Sequence, residues 1–196
     1  MKELKLNEVA DIQMGYQARK KIAGSADSRY SIIMGKDIGM DNEIDLKSLA
    51  GIEPEGEIDR YLIQKGDILF MAKGSNNYAA CIKAKLSNTV ASGSMYILRA
   101  KTSAIQPCYL AWWLNQSTAQ EHFRQTQSSG ATISFISVEA LRRTPVYLPD
   151  LATQQKIGTL HELYKTWKYK TTELLNLQEK LITQITYKAM THKEKA

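Results

Sequence analysis

No proline occurs after Pro149, and from Asp150 onward large residues return in alternating steps of three and four. The series is Ile157, Leu160, Tyr164, Trp167, Thr171, Leu174, Gln178, Leu181 and Ile185. Such spacing keeps every member on one side of an α-helix and is the heptad rhythm of coiled coils. It predicts one long helix over residues 150–190, opened by Asp150 as N-cap, with a polar tail at 191–196. About 36 helical residues would reach roughly 54 Å at 1.5 Å per residue. Leu163, Leu175, Leu177 and Ile182 widen the apolar stripe. A lone helix with so broad an apolar face needs a partner. No other segment of the 196 residues has matching length, so the expected partner is a second copy or a helix of another protein. Ile157, Leu160, Tyr164, Trp167, Leu174, Leu181 and Ile185 are the expected pairing residues. Thr171 and Gln178, polar at stripe positions, would set register.

The preceding residues, 1–149, have a different grain. All four prolines and all glycines but Gly158 lie there. Breakers at that density divide a chain into short elements. A short amphipathic helix is expected over Leu6–Ile12, ended at Met14-Gly15. Tyr30–Met34 reads as a strand, and Tyr61–Ala72 as strand, turn and strand with the break at Lys65-Gly66-Asp67. Asp67 is expected to serve that turn. Ser94–Arg99 reads as another strand. Pro107–Asn115, with Leu110, Trp112, Trp113 and Leu114, reads as a buried helix opened by proline, and it could run on through Phe123. Val146-Tyr147-Leu148 closes the domain as a short strand. The expected class is α+β: a mixed globular domain with a twisted β-sheet and short helices, followed by one long coiled-coil-forming helix. Such a length suits one domain plus an appendage.

Composition removes several classes. No run approaches the ~18 apolar residues of a transmembrane helix, so no membrane role is expected. The start, Met1 to Glu8, lacks the apolar stretch of a signal peptide, so the expected location is the cytoplasm. Cys81 and Cys108, far from any histidine, are then expected as buried reduced thiols. The net charge of +6 is uneven. Residues 151–196 hold eight lysines and four glutamates, a net +4, leaving +2 for the first 150. That excess is compatible with a polyanionic partner without requiring one. Glycine-rich nucleotide loops, GxSxG, HExxH and metal-type Cys/His clusters are absent from the sequence. A binding protein therefore leads over an enzyme, with no cofactor and no metal expected.

Three loops carry residue types that suit nucleic acid. Gln17-Ala18-Arg19-Lys20-Lys21 is a compact basic cluster beside a glutamine. Lys73-Gly74-Ser75-Asn76-Asn77-Tyr78 follows a strand. Gln125 to Ser134 is a long polar loop containing Ser129, Thr132 and Ser134. Lysine and arginine neutralise phosphates, whereas Gln, Asn and Arg can pair with base edges. An ordinary solvated surface turn has the same composition. Asn77 and Tyr78 have the more base-like chemistry, Lys20 and Lys73 the more phosphate-like.

Several segments, taken in order, resemble the specificity subunits of Type I restriction-modification systems. Gly66-Asp67-Ile68-Leu69-Phe70 is similar to a strand of that family, and Tyr30 to Ile38 to the strand and turn before it. Ser94 to Arg99 and Pro107 to Leu114 resemble the next strand and helix. Gly130 to Leu141, running into Val146-Tyr147-Leu148-Pro149-Asp150-Leu151-Ala152-Thr153-Gln154-Gln155-Lys156-Ile157, resembles the loop, strand and entry into the family's long helix. Thr153 departs from the usual acid before Gln154, and Met34-Gly35 replaces a segment that commonly bears arginine.

The resemblance implies a non-catalytic DNA-recognition subunit. Residues 1–149 would be a target recognition domain reading a few base pairs of a split double-stranded target. The helix over 150–190 would be a spacer that pairs antiparallel and docks methyltransferase subunits performing adenine N6 methylation, with a restriction subunit able to join. Family members commonly hold two such repeats, so this chain resembles a half-size form that would act as a homodimer on a two-fold symmetric, interrupted target. The implied DNA contacts are Gln17, Arg19, Lys20, Lys21, Lys73, Ser75, Asn76, Asn77, Tyr78, Ser129, Thr132 and Ser134. The competing reading is a coiled-coil interaction or decoy protein that sequesters a methyltransferase without reading DNA.

Overall fold

The computed structural model describes residues 2–18, 28–39, 41–74, 76–126 and 134–191. Two compact units are present, Met1–Gly158 and Thr159–Ala196.

The core of the first unit is a four-stranded antiparallel sheet in the order β2-β8-β5-β6. These strands are β2 (Ala10–Met14), β5 (Ile68–Met71), β6 (Ala79–Cys81) and β8 (Met95–Ala100). All four residues of β5 are buried, which suits a strand flanked by neighbours and covered on both faces. Ile68 and Phe70 join the core formed with the helices, while Leu69 and Met71 face a second core with Ile33, Ile63, Met95 and Ile97. A three-stranded sheet, β4-β3-β7, carries β3 (Tyr30–Ile33), β4 (Ala50–Ile52) and β7 (Thr89–Ala91), with β3 and β7 parallel. A third, two-stranded sheet pairs β1 (Lys2–Lys5) with β9 (Pro145–Leu148). The sequence suggests one sheet; the described residues arrange as three.

The expected helix over Leu6–Ile12 is only one turn, α1 (Leu6–Val9). The chain then becomes β2, whose Ile12 and Met14 stand opposite Leu98 and Tyr96. Pairing with a central hydrophobic strand overrides the weak helical pattern. Gly15 continues from β2 so close to the end of β7 that a Cβ there would lie 2.2 Å from the Ser92 carbonyl oxygen. Of the expected strand-turn-strand at 61–72, the second half is β5, whereas Leu62 makes only an isolated bridge to Val90. Gly66 supplies the turn at φ +94°. Asp67 does serve the turn, accepting from the Gln64 N–H, and also pairs with Arg99 through two 2.8 Å hydrogen bonds.

Pro107 does open a helix, α2 (Pro107–Leu114), but the helix stops at Asn115. A separate helix, α3 (Ser117–Thr126), follows and packs the Phe123 ring against that of Phe70, tilted by 58° with centroids 4.9 Å apart. The Trp113 Nε1–H donates to the Pro145 carbonyl and the Tyr109 hydroxyl to that of Tyr147, which locks α2 to β9. Helix α4 (Val138–Arg142) is capped by the Ser137 hydroxyl, which accepts from the Ala140 N–H.

Cys81 and Cys108 are disulfide-bonded, with Cα atoms 5.3 Å apart, rather than the reduced thiols expected. They lie 27 positions apart in sequence. Packing of α2 against edge strand β6 brings them into bridging range, a juxtaposition that spacing alone does not reveal.

Helix α5 runs over Leu151–Thr191, 41 residues and about 62 Å at 1.5 Å per residue. Asp150 caps it as expected: its carboxylate accepts from the Thr153 N–H at 2.9 Å and the Thr153 hydroxyl at 2.7 Å. The first turns of α5 belong to the globular unit. Gln154 is buried, and Ile157, expected on the pairing stripe, is partly buried against the domain's own core. Beyond Gly158 the stripe is exposed, from 69% at Leu160 and 62% at Trp167 to 58% at Ile185. No helix among the described residues is long and apolar enough to cross a membrane.

Candidate nucleic-acid interface

The hairpin between β5 and β6 carries the second of the three predicted loops. Its shape is fixed from inside. The Asn77 amide donates to the Met71 carbonyl at 2.9 Å and the Ala72 carbonyl at 3.4 Å, and only 9% of the residue is exposed. Tyr78 lies against the second core, and its hydroxyl donates to the Gly35 carbonyl at 3.3 Å. Burial pushes the Tyr78 hydroxyl above the usual phenol range, so it stays protonated at neutral pH. The two side chains with the most base-like chemistry therefore hold the loop rather than face outward.

Two residues outside the predicted set complete this scaffold. Asn115, just past the last turn of α2, pairs with both backbone groups of Ala79. Its Oδ1 accepts from the Ala79 N–H at 2.9 Å, and its Nδ2 donates to the Ala79 carbonyl at 2.8 Å. One side-chain amide thereby replaces a missing strand on the edge of β6. Gln120, on α3, donates to the Asn77 carbonyl. In the sequence Asn115 is the last residue of the expected Pro107–Asn115 helix; its strand-mimicking role depends on tertiary packing.

The hairpin meets the third predicted loop directly. Lys73 and Phe135 form an isolated antiparallel bridge. The Gly74 N–H donates to the Ser134 carbonyl and the Ile136 N–H to the Ala72 carbonyl, both at 2.9 Å. On the other side, the Ala72 N–H donates to the Ser94 carbonyl in the turn between β7 and β8. That turn touches the first predicted loop, since a Cβ on Gly93 would come 2.7 Å from Gln17 Cγ. Gln17, Lys73 and Ser134 are thus linked through successive close backbone approaches, and Asn76 lies in the same β5–β6 connection as Lys73. Gln17, Lys73 and Asn76 are exposed, and Ser134 is half-exposed. Arg19, Lys20, Lys21, Ser75, Ser129 and Thr132 lie outside the described residues.

These segments combine a cation, amide side chains and a hydroxyl on a backbone held by hydrogen bonds. Those groups can meet phosphate oxygens and the edges of bases. A separate open cleft of about 1090 Å³ lies beside β2, lined by residues including Asp11, Gln13, Tyr16, Arg60, Lys101 and Arg142. Its cations are largely occupied: Lys101 pairs with Asp11, and Arg60 lies over the Tyr61 ring and bonds its hydroxyl.

Comparison with known proteins follows the same outline. A family model described as Type I restriction modification DNA specificity domain matches residues 1–179, which takes in the globular unit and much of α5. No curated protein sequence matches. Among solved structures, the chain resembles the S subunit of a Type I restriction-modification system from M. genitalium, with a TM-score of 0.59 and 16% identity over 91% of this chain. It also resembles the HsdS subunit from Thermoanaerobacter tengcongensis, with a TM-score of 0.65 and 17% identity over 88%. A third match, TM-score 0.60 and 18% identity over 85%, comes from a structure of type I R-M system assembly and conformational transition. The aligned region covers 42%, 44% and 38% of those chains respectively, so this chain spans less than half of each.

Proposed function

Because the chain belongs to the family of Type I restriction-modification DNA specificity domains, we propose that it is a sequence-reading subunit. It would hold an adenine methyltransferase on a bipartite double-stranded DNA target without performing chemistry itself. The observation that carries this reading is the family match over both the globular unit and most of the long helix. The linkage of Gln17, Lys73 and Ser134 through successive backbone approaches supports a DNA-facing surface. On this reading residues 1–149 read DNA and the helix over 150–190 is the spacer. The protein acts in the cytoplasm, bound to methyltransferase subunits, and to a restriction subunit where the system has one.

The helix partner is a second copy. An exposed stripe of Leu160, Tyr164, Trp167, Leu174, Leu181 and Ile185 at heptad spacing is self-complementary when two copies lie antiparallel. Leu160 replaces Ile157 as the first seam residue, since Ile157 is engaged with its own domain.

The direct test is titration of duplex DNA with the full chain, with and without its methyltransferase subunits, over a series of salt concentrations. The expected result is binding that weakens steeply and linearly on a log–log plot, because phosphate contacts release counterions. Binding that is absent in every combination refutes the proposal.

A further inference from the structure

Within Met1–Gly158, Phe135 is the one exposed aromatic ring among the described residues, at 38% exposure. Its backbone is not loose. It sits between Ser134, whose carbonyl accepts from the Gly74 N–H, and Ile136, which is fully buried and donates to the Ala72 carbonyl. The Ile136 carbonyl in turn accepts from the buried Tyr96 hydroxyl at 3.2 Å. An exposed ring mounted on fixed backbone loses little conformational freedom on contact.

The flanking bonds define how Phe135 stands relative to Lys73. They join 74 to 134 and 136 to 72, which makes Lys73 and Phe135 a non-hydrogen-bonded antiparallel pair. Residues so paired project to the same side, with Cβ atoms about 4.5–5.5 Å apart. The backbone bridge beside Ser134 therefore presents an ammonium and an apolar ring side by side. A cation alone serves phosphate without distinguishing sequence. A rigid apolar ring beside it matches the one apolar group in the major groove that marks a base, the thymine C5-methyl.

We propose that Phe135 is a specificity-determining residue that packs against a thymine methyl in the major groove, while Lys73 holds the adjacent phosphate. The inference rests on the DNA-recognition reading and adds the base class and the residue that reads it. Phe135 lies just outside the polar loop singled out from the sequence, because composition drew attention to hydroxyl and amide groups.

The test uses the full chain assembled with its methyltransferase subunits and a randomised duplex DNA library. Sequences retained by the wild type should show a thymine preference at one or more positions. Replacing that thymine by deoxyuridine, which lacks only the methyl, should weaken wild-type binding about three- to tenfold, from the burial of one methyl and its neighbouring surface. Phe135→Ala should flatten the preference at that position and bind the thymine and deoxyuridine duplexes equally. Phe135→Leu, which keeps an apolar contact and guards against a folding artefact, should retain part of the discrimination. Lys73→Ala should weaken all sequences alike and reduce the salt slope by about one. Wild-type protein that binds DNA but ignores the methyl at every selected thymine overturns the assignment to Phe135, as does a Phe135→Ala protein with unchanged discrimination. Wild-type protein that retains no DNA at all overturns the DNA-recognition reading itself.

Discussion

Replacing Gln154 by leucine removes three hydrogen bonds at the base of α5 and replaces none. Its Nε2 donates to the Ala104 carbonyl at 2.9 Å and the Pro149 carbonyl at 2.8 Å, and its Oε1 accepts from the Gln106 N–H at 2.9 Å. The residue is 1% exposed, so water does not replace these partners without rearrangement. The bonds tie the first turn of α5 to the segment that leads into α2. Each buried polar group left unpaired costs about 1–3 kcal/mol. With some relaxation toward solvent, three such groups imply a loss of roughly 3–6 kcal/mol. For a unit of this size, 1 kcal/mol moves Tm by about 2–4 °C, so Gln154→Leu is expected to lower Tm by roughly 10–20 °C. Gln154→Glu separates hydrogen bonding from shape. Ionised, it keeps the acceptor for Gln106 but turns negative oxygen toward two carbonyls. Protonated, it can donate one bond again. Its folded pKa must therefore rise above the ordinary carboxylate value, and the variant should regain stability as pH falls toward that raised value. Thermal unfolding of the full chain, followed by circular dichroism across pH, measures both effects. A Gln154→Leu protein within about 3 °C of the wild type would refute the reasoning, as would a Gln154→Glu protein with no gain on acidification.

Other consequences can be checked the same way. Arg99 is 43% exposed and Asp67 only 2% by side chain, so the pair is asymmetric. Arg99→Ala strands a buried carboxylate and should cost about 3–5 kcal/mol in denaturant unfolding, more than Asp67→Asn, which keeps an acceptor near Gln64. Phe70→Ala, at a fully buried ring packed against Phe123, should cost about 3–5 kcal/mol by the same measurement. The Thr153 backbone N–H, followed by its hydroxyl, holds the Asp150 carboxyl below its ordinary range. The cap therefore contributes fully above the ordinary carboxylate value and is lost as pH falls through the lowered folded value, so a pH series of Tm should show this acid-side loss shrink in Asp150→Ala. Trp167→Glu combined with Leu174→Glu places charge on the exposed stripe and should convert a dimeric mass in light scattering to a monomeric one.

The long helix was the most legible part of the chain. Its heptad spacing, the lack of proline and the Asp150 cap all act locally, so the sequence carries them without tertiary information. The Pro107 helix and the strands at Tyr30 and Ser94 were legible for similar reasons. Residues 10–14 form a strand where a helix is expected because their pattern is weak in both periods, and pairing of Ile12 and Met14 with β8 decides the outcome. Pairing of the first strand with the last, β1 with β9, spans nearly the whole globular unit and has no local signature. At the candidate interface, composition located the loops but not the direction of their side chains. Asn77 and Tyr78 looked like readers of bases and instead hold the hairpin. Lys73 and Ser134, remote in sequence, are neighbours because Phe135, just after the third loop, bridges to Lys73 just past β5. Ile157 satisfied the heptad as well as Leu160 does, and only packing separates them.

The central claim is that this chain chooses where a methyltransferase acts on DNA. Methylation mapping in a host that expresses the matching methyltransferase subunits, with and without this gene, tests it most directly. The account predicts a new N6-methyladenine motif that appears only with the gene, interrupted and two-fold symmetric as an antiparallel pair of copies requires. An unchanged set of methylated motifs would contradict it.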